Sequence, residues 1–233
     1  MMTSKYPLKI DLVKSVVAIL LLPIEMGLIA ILIHSGQTKW TQSLIYVGLG
    51  LIVFLMTMYL YRDVLRRDWP AYRKHWLRNT LLNLCGVLVL FSVIALVRLV
   101  MANVLHIAAM TKPSALLSVQ AAGAVAFNSI VVLLSPFTEE IVFRHVLFYQ
   151  FKGRHAALTL AMLLISSVAF GLMHWNNFHG QVIQMVPYMF AGGVLALIYY
   201  YTNNIWQNIM THFWLDFVQF AAAIALLVIA FFQ

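Results

Sequence analysis

Six residues in the second half of the chain carry most of the chemistry it can offer. Glu139-Glu140-Ile-Val-Phe-Arg144 places two adjacent carboxylates before an arginine. Glu140 and Arg144 are four apart, so on a helix they share a face and can pair. Glu139 is turned by about 100° on a helix of 3.6 residues per turn and faces elsewhere. The spacing predicts one carboxylate neutralised and held while its neighbour stays free. Phe170-Gly-Leu-Met-His174 supplies an imidazole, with Phe170 one turn earlier on the same face. His212-Phe-Trp-Leu-Asp216 supplies a second imidazole and a carboxylate on one face. Such groups exchange protons or ligate metals.

The elements that must position them are membrane helices. Of 233 residues, 63% are apolar and 9% charged, against about 25% charged in a soluble domain. The mean hydropathy is +0.91. One water-soluble core cannot hide that much apolar surface, which excludes a soluble enzyme, a disordered chain and a nucleic-acid-binding domain. About 20 apolar residues cross a bilayer as a helix. Seven segments qualify, near 11–33, 41–61, 80–102, 119–150, 156–174, 182–201 and 205–230. The expected fold is an all-α polytopic membrane bundle. One integral unit is expected, with three helices over 1–118 and a chemical core over 119–233. The single cysteine, Cys85, permits no intrachain disulfide and no thiolate cluster.

The net charge of +8 sits in short runs beside the apolar segments. Eleven Lys and Arg fall on one side: Lys5, Lys9, Lys14, Arg62, Arg66, Arg67, Arg73, Lys74, Arg78, Lys152 and Arg154. Two fall on the other, Lys39 and Lys112. The positive-inside rule then puts the N-terminus in the cytoplasm and, after seven spans, the C-terminus outside. Met1 to Lys14 shows no cleavage site and reads as leading into a retained anchor. The polar stretch Arg62 to Asn79 reads as a loop that orients the chain and touches anionic lipid headgroups.

An ionisable group at mid-bilayer costs about 2.5–3.5 kcal/mol on insertion scales, so each needs a partner or a task. Glu25 and Arg98 are read as a mutual ion pair locking the first and third spans. The remaining set, with Ser135-Pro136 upstream as a helix start or kink, is read as a site. A difficulty stands against straight helices. Counted from the neighbouring turns, Glu139 lies ~20 Å, His174 ~29 Å and His212 ~10 Å deep at 1.5 Å per residue. They meet only if the hairpin between the fourth and fifth spans extends further, or if helices tilt or break near Pro136.

In type, order and approximate spacing the three motifs resemble the CPBP family, which comprises CAAX proteases and bacteriocin-processing (Abi) proteins. That family carries E-E-x-x-x-R, F-x-x-x-H and H-x-x-x-N or -D on successive membrane helices. The likeness covers about 128–233. It implies an intramembrane glutamate-type endopeptidase acting on a membrane-associated peptide or protein, in a multi-pass protein of the cell membrane, with a bacterial setting. Carried over, Glu139 and His174 activate a water, His212 and Asp216 stabilise the oxyanion, and Glu140 with Arg144 supports them. Asp216 stands where many relatives have Asn. An ionised carboxylate cannot donate to an oxyanion, so Asp216 is expected to orient His212 and leave donation to the ring. No cofactor is implied. The alternatives are zinc on Glu139, His174 and His212, although no H-E-x-x-H helix is present, and a non-catalytic peptide-binding or self-immunity protein. The partners expected are membrane lipid and a peptide or protein substrate. Oligomeric state stays open.

Overall fold

The structure, a computed structural model, describes residues 8–107 and 119–232. Lys5 and Lys112, two of the residues used for orientation, lie outside them, as do the first seven residues of the stretch that leads into the expected anchor. All regular structure in the described residues is helical. The order is α1 Leu12–Leu32, α2 Lys39–Leu60, α3 Arg62–Lys74, α4 Trp76–Asn103, α5 Val119–Glu139, α6 Ala156–Leu172, α7 Val182–Thr202 and α8 Ile205–Phe231. Among the described residues seven segments are long and apolar enough to cross a bilayer, and they coincide with the seven spans expected. The chain is an all-α polytopic membrane bundle. α5 packs between α2 and α8, α4 packs on α7 and α8, and α6 packs on α7.

Local chemistry sets the ends. The side chains of Asp11, Thr38 and Asn204 accept the Lys14, Thr41 and Trp206 amides and so cap α1, α2 and α8. Asn203, left-handed at φ 53°, ends α7 and lets α8 start two residues later.

Four expectations need comment. The stretch read as a loop is mostly the helix α3. Tyr61, Val64, Leu65, Asp68 and Tyr72 face inward at helical spacing, and Arg62, Arg66, Arg73 and Lys74 face out. Its dense charge masks that period. α3 is tied to the start of α8: Asp68 Oδ2 accepts the Ile205 amide at 3.0 Å, and Trp206 Nε1 donates to the Leu65 carbonyl at 2.8 Å.

Glu25 and Arg98 do not pair. Arg98 instead reaches the Tyr188 hydroxyl at 3.4 Å. α3 carries α4 across the bundle to α7 and α8, whereas α1 packs on α2. Glu25 Oε1 lies beside Gly50, 3.5 Å from where a Cβ would stand.

Pro136 neither starts nor breaks a helix, because α5 runs through it. Proline leaves the carbonyl four residues back without its amide. The Ser135 hydroxyl donates to that carbonyl, of Val132, at 3.2 Å. The departure from α-helix comes later, as a fully buried π-helix over Glu140–Val146. Short π segments inside α-helices gather at functional sites.

The depth difficulty is resolved by the hairpin between α5 and α6. Thr159 Oγ1 donates to the Phe151 carbonyl at 2.9 Å, and Ser166 Oγ to the Phe143 carbonyl at 2.7 Å. The two strands of the hairpin are therefore level at 151 with 159 and at 143 with 166, and residues between 151 and 159 project beyond. Tyr149 donates to Asn203 Oδ1 at 3.1 Å. His212 lies nine residues from Asn203 along α8, ~14 Å deep, and Glu140 meets it at that depth.

Candidate active site

Glu139 ends α5, and the π segment that follows presents Glu140 and Arg144 inward. Both are fully buried, with Arg144 Nη1 3.0 Å from Glu140 Oε1. The pairing expected from the i, i+4 spacing is present. The guanidinium makes no aligned hydrogen bond. It is held by the Glu140 charge and by the Phe170 ring, whose centroid lies 3.8 Å from Cζ. A cation over an aromatic face away from water gains about 2 kcal/mol or more.

α8 brings His212 to the other side of Glu140. Its Nδ1 is 2.7 Å from Glu140 Oε1. Asn208, one turn earlier and fully buried, donates to Glu140 Oε2. Glu140 thus meets an arginine, an imidazole and an amide. Glu139 receives no hydrogen bond from the described residues. Its Oε2 lies 3.9 Å from His212 Nε2, and Asp216 Oδ2 lies 3.6 Å from the same nitrogen. One carboxylate is held and its neighbour is free, as the 100° rotation implied. The carboxylate that holds His212 through Nδ1 is Glu140, whereas Asp216 flanks Nε2.

α6 brings His174. In a helix side chains lean toward the N-terminus, so His174 leans back by one turn toward Phe170, and its Nδ1 is 3.1 Å from the Phe170 carbonyl. A carbonyl only accepts, so Nδ1 carries the proton and a neutral ring offers Nε2 as acceptor. His174 is within electrostatic reach of Glu139, His212 and Arg144. Phe170 organises the group: its centroid lies 5.4 Å from that of His174 and 5.6 Å from that of His212. α6 and α7 approach closely beside it. A Cβ on Gly171 would stand 2.9 Å from the Met189 backbone nitrogen, and one on Gly192 would stand 3.0 Å from the Ser167 carbonyl oxygen.

Five of the six residues singled out in the sequence, Glu139, Glu140, Arg144, His212 and Asp216, therefore meet, and His174 joins them through the Phe170 ring that lies against it and against His212. Two contributors were missed. Asn208, His212 and Asp216 form a polar i, i+4, i+8 row on a mostly apolar helix, and that row was visible in the sequence. Tyr188 lies against His174 with centroids 4.3 Å apart and the rings tilted by 31°, and no local pattern marks it. Two cavities flank the cluster without being lined by it. One of about 420 Å³ lies between α2 and α5, lined by residues including Lys39, Ser43, Tyr46 and Asn128. The other, of about 200 Å³, lies toward the turns and includes Tyr61 and His145. Among the described residues no three His, Cys, Asp or Glu side chains are arranged to hold a metal ion.

The arrangement offers a free carboxylate, an imidazole acceptor and a second imidazole held by an ion-paired carboxylate. No curated protein and no solved structure matches the chain. Residues 121–218, which contain all three motifs and the whole cluster, match the family model described as type II CAAX prenyl endopeptidase Rce1-like.

Proposed function

We propose that this intramembrane endopeptidase works by glutamate-based hydrolysis of a peptide bond in a membrane-associated peptide or protein. The observation that carries the reading is the contrast between the adjacent carboxylates. Glu140 is occupied by Arg144, His212 and Asn208, and Glu139 accepts nothing while facing His212 Nε2.

Glu139, aided by His174 Nε2, takes a proton from a water as its oxygen attacks the peptide carbonyl. The developing oxyanion is met by the Nε2 proton of His212. Glu140 holds that ring through Nδ1, which leaves Nε2 to face the reacting group, and a dry site strengthens the donation. The proton held by Glu139 then passes to the leaving amine as the C–N bond breaks. No step requires a metal ion. The basic turns that flank the hairpin face the cytoplasm in this reading, by the positive-inside rule.

Purified protein with a fluorogenic membrane peptide should release fragments. Glu139→Gln should slow release by about 10²–10⁴-fold, the usual range for a general base, with stability unchanged because Glu139 accepts no hydrogen bond. Release that survives strong chelation supports the mechanism. Release lost on chelation and restored by zinc, or undiminished in Glu139→Gln, refutes it.

A further inference from the structure

The larger cavity, of about 420 Å³, opens between α2 and α5 on the face opposite the basic turns, with the exposed Lys39 at its mouth. A single water needs only about 10–15 Å³. Its walls carry polar groups where a membrane interior is ordinarily apolar: Gln42, Ser43 and Tyr46 from α2, and Asn128 from α5. Asn128 Oδ1 is buried and meets no hydrogen-bond donor among the described residues. Buried polar atoms of that kind are ordinarily satisfied by protein or by ordered water.

The polar lining continues toward the carboxylate cluster. On α5, Ser135 and Glu139 follow Asn128 by seven and eleven residues. At 100° per residue both fall within about 20° of the line through Asn128, and Glu139 lies ~16 Å further along it. On α2, Gly50 stands one turn beyond Tyr46. A Cβ there would be 2.9 Å from Val131 Cγ1 and 3.5 Å from Glu25 Oε1, so the missing side chain leaves room for Glu25 to reach the seam between α2 and α5. Glu25 meets no cation and accepts no hydrogen bond among the described residues, and Glu139 is the charged group within its reach. Tyr46 is within electrostatic reach of both carboxylates. A carboxylate at this depth needs a partner or water.

Toward the basic turns the cluster is sealed. Ile141, Val146, Phe148, Tyr149, Tyr199 and Ile205 are each at most 3% exposed and pack there as one core. Hydrolysis consumes one water for each peptide bond, so a site closed on that side draws its water from another.

We propose that the cavity between α2 and α5 is the water inlet of the site, with Ser43, Tyr46 and Asn128 lining it and Glu25 at its inner end, beside Glu139. The purpose of the inlet rests on the proteolytic reading, whereas the hydration of the cavity can be measured without it.

The test uses the full chain in phosphatidylcholine nanodiscs, which leave both faces open, with Cys85→Ser removing the single native thiol. Asn128→Cys and Ser43→Cys are treated with a small charged methanethiosulfonate, and labelling is followed by mass. The thiolate is the species that reacts, and it forms where water reaches. Both should label roughly tenfold or more faster than Ile130→Cys, which stands about half a turn from Asn128 on an exposed part of α5. The attached group fills the passage. On the same preparation kcat for peptide release should fall by about tenfold with KM unchanged, and return when a reductant removes the label. Labelling of Asn128→Cys no faster than that of Ile130→Cys, or labelling that leaves kcat unchanged, overturns the inlet. Labelling that raises KM alone identifies a peptide-binding groove and overturns it too. Release undiminished in Glu139→Gln overturns the proteolytic reading and the inlet with it, and fast labelling of Asn128→Cys then distinguishes that failure from a dry cavity.

Discussion

Replacing Glu140 by glutamine removes one charge from a site where Arg144 has nothing else of opposite sign so near. Both residues are fully buried. Breaking a buried ion pair from one side costs about 3–5 kcal/mol, because the remaining charge is stranded. For a chain of this length that is a fall in midpoint on the order of 10 °C. Replacing both members, Glu140→Gln with Arg144→Met, removes the stranded charge. Paired replacements of buried ions by apolar groups are often neutral, so the double variant should recover most of the lost stability. It should not recover activity, because the anionic acceptor at His212 Nδ1, 2.7 Å away, is gone. The assay is a double-mutant cycle on unfolding midpoint, with fragment release measured on the same four preparations. A coupling of about 2 kcal/mol or more with all three variants inactive is expected. A double variant no more stable than Glu140→Gln refutes the stranded-charge argument. A double variant with parental activity refutes the role given to Glu140.

Other outcomes follow from the same geometry. Asn208→Ala removes the amide donor to Glu140 and should cost about 1.5–3 kcal/mol, measured by unfolding; no loss means the contact is idle. Gly171→Ala adds a methyl 2.9 Å from the Met189 backbone nitrogen. Overpacking of this kind costs about 1–3 kcal/mol, and it should slow peptide release as well because Phe170 and His174 ride on the same turn. At the basic end, burial alone would raise the Asp63 carboxyl, but the hydrogen bond and charge of Lys14 outweigh it and hold it below its usual 3.8. A carboxyl lowered by folding stabilises above its unfolded value and loses that contribution as pH falls through the folded one. The parent midpoint should therefore drop below about pH 4 by slightly more than that of Asp63→Asn. An equal or smaller drop counts against the Lys14–Asp63 contact.

What could be read from the chain followed the range of the interaction. Seven spans were legible because a bilayer sets one length and one composition, whatever packs beside them. The Glu140–Arg144 pair was legible because helix geometry alone brings i and i+4 together. Asn208 shared that kind of signal with His212 and Asp216. The helix α3 was hidden because its charges outnumber its inward-facing residues, so its period shows only once α8 is there to cover it.

The pairings between distant segments were of another kind. Reading Glu25 with Arg98 assumed that two lone opposite charges must find one another, but α3 carries α4 to the far side of the bundle, and Arg98 meets Tyr188 instead. The sequence by itself determined which costly groups enter the membrane and that they need an enclosed common site, since lipid gives each of them no partner. Only the tertiary structure decided that Glu140 rather than Asp216 holds His212 through Nδ1, that the helix slips to a π register after Glu139, and that the hairpin runs far enough for Phe170 to stand level with both. Those choices depend on the relative height and rotation of helices far apart in the chain, which no spacing within one segment encodes.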